Sequence, residues 1–130
     1  MRRLLDTDIC VALLKDDQEA RARLLAEDPG DVCLCSVVKA ELLYGARHSK
    51  RVDPNLRRLE RFFAPFESLP FDDAAAHWYG TIRAHLARVG RPIGGNDLLI
   101  AAIALAQDVT VVTRNTAEFN RVPNIRLEAW

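Results

Sequence analysis

The sequence predicts an α/β domain with a mostly parallel central sheet. Short β-like runs alternate with longer stretches of helical spacing, the pattern in which a helical crossover joins each strand to the next. The stretch "GGNDLLIAAIALAQD" is almost wholly apolar beyond Asp97, as a buried helix should be. At 130 residues the chain is sized for a single domain, residues 1–130, because this length buries about two-thirds of its unfolded surface around one core.

The first strand is expected at residues 3–5, where the apolar run stops at Asp6. Residues 9–14 and 20–26 then show helical spacing, and "EDPG" supplies a stop. A second strand is expected at 32–35, followed by a helix in "SVVKAELLYGARHS" that ends near Gly45. "PNLRRLERFF" opens another helix, with Pro54 in the favoured first turn. After a third strand at 66–69 comes a long amphipathic helix, "DDAAAHWYGTIRAHLARVG", with a carboxylate-rich start and Gly90 at its exit. The buried helix follows, and strands at 110–112 and 125–127 enclose a polar turn, "TRNTAEF".

Eighteen basic and eighteen acidic residues cancel, so bulk charge makes no case for a nucleic-acid partner. Locally, Arg47, Lys50, Arg51, Arg57, Arg58 and Arg61 outnumber Asp53 and Glu60, a balance suited to phosphate and equally to a solvated helix face. Cys10, Cys33 and Cys35 form no even disulfide framework and nothing at the N-terminus reads as a signal peptide, which makes a reducing cytoplasm the expected setting. Cys33 and Cys35 read as small buried hydrophobes more readily than as a C-x-C metal pair. No apolar run is long enough to span a bilayer, so no membrane partner is expected. His48, His77 and His85 stand in no constellation with acids, and Trp78 and Tyr79 read as core or dimer contacts.

The informative residues are acids where apolar residues belong. Helical spacing sets Glu41 beside Val37, Val38, Tyr44 and Gly45, on the stripe expected to face the core. Asp97 neighbours Ile100 and Ala101 at the mouth of the buried helix, although a first-turn Asp also complements the helix dipole and Asn96 is a candidate N-cap. Asp6 ends a strand at the edge where α/β sheets place ligands, whereas Asp8 is suited to capping the helix that follows. Thr113, Arg114, Asn115 and Glu118 occupy the carboxyl edge of another strand. If these positions converge, Asp6, Glu41 and Asp97 form a cluster of like charges, and two such charges about 4 Å apart repel by roughly 4 kcal/mol at an effective dielectric near 20. Such a cluster calls for a cation. Carboxylates without His or Cys select Mg²⁺ or Mn²⁺ over zinc, and that combination serves phosphodiester hydrolysis.

Four stretches, "LLDTDIC", "SVVKAELLYGA", "IGGNDLLIAAIAL" and "VTVVTRNTAEFNRVPNIRLEAW", in this order and spacing, resemble the PIN-domain ribonucleases and, within them, the VapC toxins of type II toxin–antitoxin modules. The resemblance implies a three-layer α/β/α fold and an acidic pocket for Mg²⁺ or Mn²⁺. It maps Asp6, Glu41 and Asp97 onto the three family acids, with Thr7, Ser36, Asn96 and Thr113 orienting them. Asn115 stands where many PIN domains carry a fourth acid; either Glu118 supplies that charge or three acids suffice. The implied activity is metal-dependent endoribonuclease cleavage of structured RNA, often transfer RNA. The implied partners are a VapB antitoxin, operator DNA reached only through it, and a second copy in a homodimer, and the basic run would help to grip RNA backbone. Two rivals remain at this level. An inactive PIN module would act only through its antitoxin, and a haloacid-dehalogenase-like phosphatase would use Asp6 as nucleophile and leave Glu41 and Asp97 unexplained.

Overall fold

A computed structural model describes all of residues 1–130. Five short strands, β1 (Arg3–Leu5), β2 (Val32–Cys35), β3 (Glu67–Leu69), β4 (Thr110–Val112) and β5 (Leu127–Glu128), form one wholly parallel sheet in the order β3-β2-β1-β4-β5. Between and around them lie α1 (Thr7–Leu14), α2 (Gln18–Leu25), α3 (Ser36–Arg47), α4 (Val52–Phe63), α5 (Asp73–Arg88), α6 (Gly95–Gln107) and α7 (Thr116–Phe119). In register, Leu4 pairs with Cys33 on one side and Val111 on the other. β2 and most of β1 and β4 are buried, which is why these strands read as continuous apolar runs and not as alternation.

The chain works outward from β1 through β2 to β3, then returns past β1 to β4 and on to β5. Right-handed crossovers running in these two senses fall on opposite faces, which makes three layers with the sheet in the middle. The order reverses between β1 and β4, and the carboxyl ends of those two strands therefore border the crevice where open α/β sheets bind ligands. α6 is the helix predicted to be buried: Leu98 and Ile100–Ala104 pack in the core, with α5 laid along it.

Local expectations are corrected at five points. Asp6, not Asp8, caps α1: its backbone is extended and its Oδ1 accepts the Ile9 N–H at 3.0 Å, while Asp8 lies exposed in the first turn. The N-cap of α6 is Gly94, not Asn96, so Asn96 falls inside the helix. The predicted polar turn contains a further helix, α7, whose four residues are too few to show a period. β5 begins two residues later than expected. Trp78 is exposed, which removes the core half of its reading and leaves the dimer contact, whereas Tyr79 packs edge-on against Phe71 with ring centroids 6.2 Å apart. No helix is long and apolar enough to cross a membrane.

Candidate active site

Asp6 and Thr113 each follow a central strand at the point of reversal. The Asp6 N–H donates to Val112 O and the Thr113 N–H to Glu128 O, both at 3.0 Å, so the ladder carries both residues to the crevice floor. Both side chains are buried. Thr113 Oγ1 accepts the Asn115 N–H at 2.9 Å, and its hydroxyl also acts on the Asp6 carboxylate. Burial pushes the Asp6 carboxyl above its ordinary range, and the Thr113 hydroxyl and Ile9 N–H pull it part of the way back.

Glu41 reaches the same crevice from α3. Thr7, in the first turn of α1, donates its hydroxyl to Glu41 Oε1 at 2.7 Å, which ties the start of one helix to the middle of another. The stripe expected to carry Glu41 into the core divides: Val38, Leu42 and Ala46 are buried, while Tyr44 and Gly45 face solvent. Glu41 sits on the boundary between them, half-buried, and lines two surface hollows.

Asp97 and Glu118 flank the start of α6. Glu118 Oε1 accepts the Gly94 N–H at 2.5 Å and its Oε2 accepts Asn115 Nδ2 at 2.8 Å, contacts that hold the Glu118 carboxyl below its usual range. A Cβ added at Gly94 would stand 3.4 Å from Glu118 Oε1 and 3.8 Å from Asp97 Oδ2, so both carboxylates border one backbone point. Burial first, then the charges of Glu118, Asp6, Glu41 and Asp8, push Asp97 up to about 6.

None of the chain's ion pairs includes Asp6, Asp8, Glu41, Asp97 or Glu118. The fold thus brings acids from four elements or their ends into mutual repulsion without an ion pair to any of them. It does not bring three of them to the spacing of ligands around a single point. Glu41 is held by Thr7, and Glu118 by Gly94 and Asn115, so shared coordination requires side-chain rotation. The donor set is all oxygen, as Mg²⁺ or Mn²⁺ prefers; Cys10 and Cys35, the nearest sulfurs, are buried thiols that burial keeps protonated.

Of the predicted orienting residues, Thr7 and Thr113 meet acids directly. Ser36 does not: its hydroxyl points to Leu69 O at 3.5 Å, on the far side of β2 from β1. Asn96 is exposed and borders a hollow beside Glu41 without bonding to it. Arg47, Lys50, Arg51, Arg57, Arg58 and Arg61 are all exposed at the end of α3 and along α4, and no acid pairs with them. Arg58 donates to Leu14 O and lines a groove of about 540 Å³ that reaches Thr7 and Glu41. Sequence reasoning missed two roles, the cap made by Asp6 and the Gly94 N–H that anchors Glu118; for the second, the doubled glycine before Asn96 was the available signal.

The pattern of the family described as PIN domain matches residues 3–125. The tRNA(fMet)-specific endonuclease VapC of Shigella flexneri is 40% identical over 127 residues, spanning 98% of this chain and 96% of that protein. Ribonuclease VapC2 of Rickettsia felis is 39% identical, again covering 98% of this chain and 96% of its own length. Among solved structures, DNA-bound VapBC from Salmonella typhimurium superposes with a TM-score of 0.94 at 38% identity, over 100% of this chain and 98% of the other.

Proposed function

This chain belongs to the VapC branch of the PIN-domain family, and on that premise we propose that it is a metal-dependent endoribonuclease toxin that hydrolyses phosphodiester bonds in structured RNA such as transfer RNA. One observation carries the reading: acids from separate elements meet at the sheet's reversal point and none of them is in an ion pair. In this reading Asp6, Glu41 and Asp97 hold Mg²⁺ or Mn²⁺, and Glu118, oriented by Asn115, stands in for a fourth acid. The bound ion supplies charge neutralisation and a water of lowered pKa. Asp6 is kept in place by the Ile9 N–H and the Thr113 hydroxyl, so its position does not depend on side-chain rotation. Thr7 sets the rotamer of Glu41, and the Gly94 N–H that of Glu118. The unpaired cations from Arg47 to Arg61 neutralise backbone phosphates, which positions RNA without reading its sequence.

The naming of VapBC complexes among the relatives, some of them DNA-bound, supports a VapB-type antitoxin as the protein partner, with operator DNA reached through it. A homodimer fits the same reading. The test is to incubate the purified protein with total RNA in Mg²⁺, Mn²⁺ or EDTA and to sequence new 5′ ends. New 5′-phosphate ends should form with either metal and vanish with EDTA. Cleavage that survives chelation, or no cleavage with metal, would overturn the reading.

A further inference from the structure

Tyr44 lies one turn beyond Glu41 on α3 and is 67% exposed, a high value for a large aromatic ring. Its ring is not loose. It stacks nearly parallel on His48, one further turn along, with centroids 5.5 Å apart and an interplanar angle of 15°. The two rings make a fixed aromatic surface facing solvent. Beside it is a hollow of about 430 Å³ lined by Val37, Ala40, Glu41, Tyr44, Asn96 and Leu99. Its wall is therefore aliphatic and aromatic, with one carboxylate and one exposed amide.

We propose that this hollow holds an unpaired nucleobase of the RNA, stacked on Tyr44 with its edge toward the Asn96 amide, next to the phosphodiester at the acids. The inference rests on the endoribonuclease reading and adds to it how the strand is selected. Every base has a π-face that an aromatic ring can take, and an Asn amide offers both a donor and an acceptor to a base edge. Glu41 belongs to the hollow and to the acid cluster, so a base seated there places its own phosphate beside the acids. Arg47 at the end of α3 and Lys50 and Arg51 in the connection to α4, all exposed and free of ion pairs, supply the charge that an RNA backbone requires. A base inside a helix cannot lie flat on Tyr44, so cleavage falls at single-stranded positions.

The test uses the full chain with Mn²⁺ and an RNA hairpin whose loop carries 2-aminopurine beside the cleavage site. Tyr44→Ala should raise KM roughly ten-fold with kcat nearly unchanged, and Tyr44→Phe, which keeps the ring, should restore KM. The 2-aminopurine fluorescence should fall on binding to the Asp6→Asn variant and stay level when Tyr44→Ala is added. Asn96→Ala should broaden the choice of base at that position. An unchanged KM in Tyr44→Ala, an equal loss in Tyr44→Phe, or a loss that follows a change of oligomeric mass by light scattering would overturn the base platform; the last would assign the surface to a second copy. If the parent protein cleaves no RNA, it is the ribonuclease reading that fails.

Discussion

Asp17 and Asp97 are the same residue type at the start of two helices, yet they sit in opposite electrostatic states. Asp17 caps α2 through the Ala20 N–H and accepts both Arg114 Nη atoms, at 2.9 and 3.1 Å, which lowers its carboxyl to about 2. Asp97 has no cation within reach and is pushed up to about 6. The same contrast runs across the molecule. Glu128 and Glu27 share Arg3, Asp108 meets Arg126 and Glu67 meets Arg2, while the acids at the reversal point have none. Away from the crevice several acids draw their counter-charge from the chain itself; where acids crowd the crevice without an ion pair, the missing charge has to come from outside.

Removing an acid from each region separates the two roles. The largest effect is expected from Asp6→Asn, which keeps a capping side chain for Ile9 and so leaves the fold in place, but should lower RNA cleavage on the order of 10³-fold or more in a single-turnover assay. Glu118→Gln should reduce cleavage about 10- to 100-fold and raise the Mn²⁺ concentration needed for half-activity; unchanged metal dependence would remove Glu118 from the site. Thr113→Val leaves a half-buried Asn115 N–H unpaired and Asp6 with the Ile9 N–H alone, so it should cost about 1 kcal/mol by urea denaturation as well as activity.

Asp97 gives the sign of the pH dependence. Its carboxyl titrates higher in the folded chain than in the unfolded one, so the folded state holds the extra proton. Without metal, the stability this contributes is complete below about pH 4 and is lost as pH rises through about 6. Asp97→Asn should therefore stabilise the metal-free protein at pH 7.5 by on the order of 1 kcal/mol, allowing for solvent screening at a half-buried group, while abolishing metal-dependent cleavage. The smallest effect belongs to the paired region: Arg114→Ala should lower Tm by about 2–5 °C through lost contacts to Asp17 and Trp130 O, and leave cleavage rates alone.

The central strands were legible because burial on both faces leaves an unbroken apolar run, as in "VCLC" and "TVV". Asp6 and Asp97 were legible for the same reason, as charges abutting such runs. Glu41 was found by its spacing, but its stripe proved to be a boundary, because Tyr44 and Gly45 face solvent. Caps were misplaced between neighbours: Asp6 and Asp8 are equally good capping residues by type, and only the extended backbone at Asp6 decides. The bond from Gly94 to Glu118 spans 24 residues, and the doubled glycine at one end is its only local mark. Ser36 was carried over by resemblance, and its hydroxyl turned instead to the β3 carbonyl at Leu69.

The most direct measurement is a Mn²⁺ titration by calorimetry at pH 6, run in two buffers of different ionisation enthalpy. Saturable binding with net proton release, lost in both Asp6→Asn and Asp97→Asn and kept in Arg114→Ala, is the expected result. Binding of equal affinity in the parent and in the combined Asp6→Asn, Asp97→Asn variant would contradict it.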